Sequence, residues 1–149
     1  EDTRYPHCNI KTLNLLPNVM AAQKAAEAGC DETVFHRGDT VTECAHSNVM
    51  ILQNGTLRTM PLCNLILPGI TRGHLLGIAR QKGIPVAEEA FTVAEMLHAD
   101  EVIVTSSGAL CCAADEIDGK PVGGRAPALL ATLQQAYNAR FLQETGFAL

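Results

Sequence analysis

The chain lacks several features that would have assigned its class at once. No apolar run approaches the roughly 18 residues a membrane-spanning helix needs, which excludes a helical span. Basic residues are not in excess: 11 Lys and Arg face 16 Asp and Glu, a formal net charge of −5 with a pI near 5.5. Nucleic acid and anionic membrane surfaces, which call for a basic face, are therefore excluded as partners. The six cysteines at 8, 30, 44, 63, 111 and 112 contain no C-x-x-C pair, so no zinc pattern is present. The five histidines at 7, 36, 46, 74 and 98 show no i, i+4 pairing, and no metal site is expected. The P-loop and G-x-S-x-G are missing, and Ser47 has no nucleophile-elbow context. No internal repeat or low-complexity linker divides the chain.

What is there suits one compact, soluble domain. At 149 residues and 47% apolar composition the chain can bury a sizeable core. The thiols are expected to be buried and free, as in a reducing, cytoplasmic compartment. The adjacent Cys111 and Cys112 suit ordinary packing more often than a redox switch. The sequence opens on Glu1 without a signal peptide, which is expected of a processed or trimmed product or of a fragment.

Strand-like and helix-like segments alternate, favouring an α/β class. Ile10 to Asn14 reads as extended, and a helix is predicted from an Asn18 N-cap to Gly29, rich in alanine. Glu32 to His36 reads as a strand with Gly38-Asp39 as its turn. Val41 to Leu52 reads as one longer strand region, followed by the hairpin signal Asn54-Gly55 and a return over Leu57 to Met60. A helix is predicted from Thr71 to Gly83, with Leu75, Ile78 and Ala79 on one face. Val86 to Phe91 reads as a strand, and Thr92 caps a brief helix through His98. Strands follow over Glu101 to Ser107 and Leu110 to Ile117, turning at Asp118-Gly119. The last helix spans Ala126 to Glu144, with Leu129, Leu130, Leu133, Tyr137 and Phe141 in its stripe. Glu1 to Pro6 and Lys120 to Arg125 read as loose.

Singly, the candidate residues are ambiguous. Lys11 in Asn9-Ile10-Lys11-Thr12-Leu13-Asn14 reads first as an exposed residue on the polar side of a strand. Its functional alternative is a desolvated amine that forms a Schiff base, which requires a partly buried site. Glu43 reads as a solvated carboxylate or, if buried, as one in need of a cationic partner. Leu67-Pro68-Gly69-Ile70-Thr71-Arg72 is a glycine turn opening a helix. It suits either plain capping or a phosphate held by the amides of Ile70 and Thr71 and the Thr71 hydroxyl. Thr105-Ser106-Ser107-Gly108 closes a β-branched strand with hydroxyls, either as turn formers or at the strand end where α/β sheets place ligands.

Taken in order, four segments resemble the class IV aminotransferases, pyridoxal-phosphate enzymes of fold type IV. They are Asn9 to Leu16, Val41-Thr42-Glu43 with Ser47-Asn48-Val49, Leu67 to Arg72, and Val104-Thr105-Ser106-Ser107. The likeness runs over nearly the whole chain and is nearest to the D-amino-acid branch. Branched-chain aminotransferases and aminodeoxychorismate lyases are the other relatives. The resemblance implies the family's large C-terminal domain, with a curved or barrel-like mixed sheet and flanking helices over residues 1–149. It makes Lys11 the Schiff-base lysine of pyridoxal 5′-phosphate and the carrier of the substrate's Cα proton. It sets Glu43 on the pyridine nitrogen, Leu67 on the ring face, and Ile70, Thr71, Ser106 and Ser107 around the phosphate. The implied reaction is amino-group transfer between an amino acid, D-configured, and a 2-oxo acid. A lyase of the aminodeoxychorismate type or a non-catalytic truncated domain is the alternative. The resemblance also implies a homodimer.

Departures from the family pattern bear on substrate preference. Cys44, Ala45 and His46 stand where relatives often carry small hydroxyl residues, and Gly108-Ala109 replaces commonly polar positions. Only ten residues precede Lys11, so the family's N-terminal domain is expected to be absent, or supplied by a separate chain. That domain provides a phosphate-binding arginine and the grip on the substrate carboxylate.

Overall fold

The structure is a computed structural model that describes residues 1–148. Its elements in chain order are α1 (Leu16–Glu27), β1 (Val34–Arg37), β2 (Thr40–Cys44), β3 (Asn48–Gln53), β4 (Thr56–Thr59), α2 (Ile70–Gln81) and β5 (Val86–Glu88). They continue with α3 (Val93–Leu97), β6 (Glu101–Thr105), β7 (Cys112–Ala114), β8 (Glu116–Ile117), β9 (Lys120–Pro121) and α4 (Pro127–Thr145). The fold is mixed α/β. A five-stranded sheet runs in the order β5-β4-β3-β6-β7, antiparallel except for the parallel β4–β5 pair. Two hairpins, β1–β2 and β8–β9, stand apart from it. The sheet is open, so the barrel-like alternative gives way to a mixed sheet flanked by helices.

β3 shows why the sheet sits in the centre. Its alternation sends Met50 and Leu52 into one core, with Leu75, Ile103, Leu133 and Tyr137. Val49 and Ile51 enter the other, with Val41, Phe91, Met96 and Val102. A strand covered on both faces needs apolar residues at every position, which explains the unbroken Val49–Leu52 run. Asn54 and Gly55 both take positive φ, 51° and 76°, as the tight β3–β4 connection requires. Thr92 and Glu95 form the full capping box of α3.

Several expectations are corrected. Val41 to Leu52 is not one strand region: the chain breaks at residues 45–47, so β2 pairs with β1 while β3 joins the main sheet. Leu110 to Ile117 likewise divides into β7 and β8, and β9 lies in the segment read as loose. Ile10 to Asn14 forms no strand. α1 starts at Leu16, two residues before Asn18, with Pro17 in its first turn. Asn18 donates instead to the Ala45 carbonyl at 2.8 Å. The thiols are free, but only Cys44 and Cys111 are buried. The Glu1 to Pro6 segment is anchored, because Asp2 and Arg4 are buried.

Candidate active site

Glu43 ends the inward side of β2 and is 5% exposed. The cation that such burial demands comes from Arg4, whose Nη1 donates to Glu43 Oε1 at 2.5 Å. Glu43 Oε2 accepts from Asn48 Nδ2 at 3.0 Å and from the Leu67 amide at 2.8 Å. A carboxylate offers about four lone-pair positions; these three donors leave one for a further N–H. Three donors pointing at two oxygens fit the ionised, acceptor-only form. Burial pushes the Glu43 carboxyl above its ordinary 4.5, and Arg4 with the Leu67 amide pulls it back only in part.

Arg4 is itself held on several sides. Its Nε and Nη2 donate to Asp2 at 2.9 Å, and its guanidinium lies 4.4 Å from the Phe35 ring centroid. Burial alone would lower the Arg4 pKa; the two carboxylates raise it. Asp2 also accepts from Arg37 Nε at 3.2 Å. Burial pushes the Asp2 carboxyl up, but bonds from Arg4 and Arg37 more than offset this and hold it below its ordinary 3.8. Sequence reasoning missed Asp2 and Arg4, which lie in the segment read as loose; an acidic and a basic residue two apart were the visible signal.

Asn48 joins this cluster to the rest of the site. Besides Glu43 it donates to the Leu67 carbonyl at 2.9 Å. In the β3–β6 register it faces Thr105, one residue before Ser106. Gly69 makes this possible: a Cβ there would stand 2.2 Å from Asn48 Oδ1. Gly69 is also the N-cap of α2 and provides no side-chain cap, and the first turn holds no acidic residue. The leading amides of α2 therefore have no partner in the helix, at its positive end. Thr71 is 5% exposed, and its hydroxyl makes no hydrogen bond among the described residues.

A cavity of about 220 Å³ brings Ile70, Thr71 and Ser107 together with His74, Tyr137 and Arg140. Ser106 does not line it; its hydroxyl accepts from the Ala109 amide at 2.9 Å. Leu67 is half-buried beside Glu43. Lys11 is exposed and makes no hydrogen bond among the described residues. Its segment is tied down just upstream, where the His7 and Cys8 amides donate to the Asn64 carbonyl at 3.0 and 2.9 Å. Asn64 lies on the loop that delivers Leu67, and Asn9 shares a cavity of about 390 Å³ with Asn64, Ile66 and Pro68. Leu13 is 97% and Leu16 67% exposed, so this edge is apolar and uncovered. The arrangement offers a buried carboxylate with one free acceptor position, an anion cradle, and a primary amine on an adjoining segment.

A family model described as amino-transferase class IV matches residues 1–117. The D-alanine aminotransferase of Listeria monocytogenes serotype 4b is 42% identical over 148 residues, covering 98% of this chain and 51% of that protein. The branched-chain amino acid aminotransferase of Escherichia coli superposes with a TM-score of 0.84 at 27% identity, over 97% of this chain and 48% of its own. That of Thermobaculum terrenum, in its PLP form, gives 0.81 at 28% identity, over 88% and 44%. The chain spans about half the length of the curated relatives it matches.

Proposed function

The chain belongs to the class IV aminotransferase family, and from that premise we propose that it binds pyridoxal 5′-phosphate and carries the cofactor half of a transaminase site. The reaction served is amino-group transfer between an amino acid, D-configured, and a 2-oxo acid. The observation that carries this is the Glu43 cluster: three donors of the chain hold a buried carboxylate ready for one more N–H. A pyridinium nitrogen is an N–H donor of the charge such a carboxylate takes.

When bound, the cofactor supplies an aldehyde for the amino group and a ring that accepts the electron pair left at Cα. The chain's own residues do the rest. Glu43 would keep the ring nitrogen protonated, Leu67 would pack on the ring face, and the Ile70 and Thr71 amides would take the phosphate with the Thr71 and Ser107 hydroxyls. Ser106 belongs to the same turn. Lys11 Nζ would hold the cofactor through its aldehyde carbon and would move the proton at the substrate's Cα.

We place residues 1–149 in one cofactor-binding domain. The grip on the substrate carboxylate is assigned to an N-terminal domain of the family type, in the same polypeptide or another. Such orientation can supply about 7–11 kcal/mol of the barrier reduction. A homodimer in the cytoplasm completes the proposal, supported by six free thiols. No helix among the described residues is long and apolar enough to cross a membrane.

The test is an absorption titration with pyridoxal 5′-phosphate, followed by borohydride reduction and peptide mapping. The expected result is a mass increment on the Lys11 peptide. A folded protein that stays colourless, with that peptide unmodified, overturns the proposal.

A further inference from the structure

The cradle at the start of α2 has a feature that no capping role explains. Arg140, on α4, lines the same cavity as Ile70, Thr71 and Ser107. Its Nη2 lies 3.2 Å from His74 Nε2. Because a guanidinium only donates, His74 receives this bond on Nε2 and carries its hydrogen on Nδ1. His74 stands three residues after Thr71 and four after Ile70, on the same face of α2. Helical side chains lean toward the N-terminus, and His74 holds the guanidinium at the cavity that the opening turn also lines.

That placement sets one positive group beside another. The opening turn of α2 carries unpaired amides and no acidic residue, and the macrodipole makes it an anion-seeking end. Arg140 has one ion pair, from Nε to Glu144 Oε1 at 2.8 Å, and Nη1 has no partner among the described residues. Thr71, a residue only 5% exposed, lines the cavity and its hydroxyl makes no hydrogen bond among the described residues. The helix end, the guanidinium and a free hydroxyl converge on one cavity, which Glu144 also lines, and suit a phosphate that competes with that carboxylate for Arg140.

We propose that Arg140, aimed by His74, is the chain's own cationic wall of the phosphate cradle and binds a phosphate monoester together with the Ile70 and Thr71 amides. This rests on the cofactor assignment above and adds to it a binding residue from the last helix. α4 is set for the task at its far end, where Glu101 Oε1 accepts from the Ala126 amide at 2.8 Å. Leu133 and Tyr137 then bury the helix against the core shared with α2.

The experiment measures inorganic phosphate binding by ³¹P NMR titration on the full chain, with Arg140→Gln, Arg140→Lys and Glu144→Gln alongside. Arg140→Gln is expected to weaken phosphate about tenfold, the usual scale for one charge-assisted bond, with Arg140→Lys in between. Glu144→Gln removes the competing carboxylate and is expected to tighten binding. Opposite directions at two positions four residues apart cannot both come from damage to α4. A parallel titration compares pyridoxal 5′-phosphate with pyridoxal; only the phosphorylated form is expected to respond to Arg140→Gln. Equal phosphate affinity in wild type and Arg140→Gln, or no phosphate binding by the wild type, overturns the inference. Phosphate binding that depends on Arg140 with no binding of pyridoxal 5′-phosphate leaves the cradle standing and overturns the cofactor assignment instead.

Discussion

Around Glu43 the chain makes its own hydrogen bonds: Arg4, Asn48 and the Leu67 amide all donate to one buried carboxylate. The Lys11 side chain makes none among the described residues, and Leu13 and Leu16 on the same segment are exposed. Both regions carry residues of the same proposed site, yet one is closed and the other open. The contrast follows from what each group requires. A buried carboxylate without donors would be too costly to keep ionised, so its partners must come with the fold. An amine at the surface has no such requirement and can await a covering surface.

The largest effect that tests this contrast is expected from Arg4→Met. It leaves Asp2 and Glu43 buried without their shared cation, and urea unfolding should record a loss of about 3–5 kcal/mol. A loss no greater than an ordinary surface change would mean that the cluster is not held as described. Gly69→Ala comes next. Its Cβ would collide with Asn48 Oδ1 at 2.2 Å, pushing Asn48 away from both Glu43 and Leu67. About 1–3 kcal/mol of destabilisation is expected; a neutral result would show that Asn48 can move freely.

Asp2→Asn sharpens the picture through pH. With its folded pKa held below 3.8, Asp2 contributes stability that is fully present above that value. The contribution disappears as pH falls through the lowered folded value. The variant should therefore flatten the acid limb of a plot of unfolding midpoint against pH, and an unchanged limb would remove Asp2 from the cluster's energetics. Lys11→Ala should have the smallest effect on stability, within about 0.5 kcal/mol, because the side chain is exposed and unpartnered. The same variant should abolish borohydride-trapped cofactor; a clear drop in stability would place Lys11 in packing that the structure does not contain.

Much of the architecture was legible from local chemistry. Asn54-Gly55 marked its hairpin because both residues tolerate positive φ. Thr92 announced α3 because a hydroxyl before a helix can satisfy a leading amide. The boundaries that failed share a different cause. Residues 41–52 contain no glycine or proline to mark a turn, so the break at 45–47, where the chain leaves one sheet for another, was not read from the pattern. Ile10 to Asn14 alternates like a strand but has no neighbouring strand to pair with. For the site, the order Lys11, Glu43, Gly69 and Ser106-Ser107 could be read along the chain. Arg4 and Arg140 could not, because they meet Glu43 and His74 across a long separation in sequence.

Residue identity by itself determined which chemical groups were at hand: the amine of Lys11, the carboxylate of Glu43, and a glycine-opened helix without an acidic first turn. It also set the condition that this carboxylate, if buried, would need partners to offset the cost of its charge. Only tertiary structure decided that the cation is Arg4, that Asn48 links the carboxylate to the helix, and that α4 brings Arg140 over the opening of α2. Hydrogen bonds and ion pairs act over a few ångströms of space, and folding chooses which distant residues come within that reach.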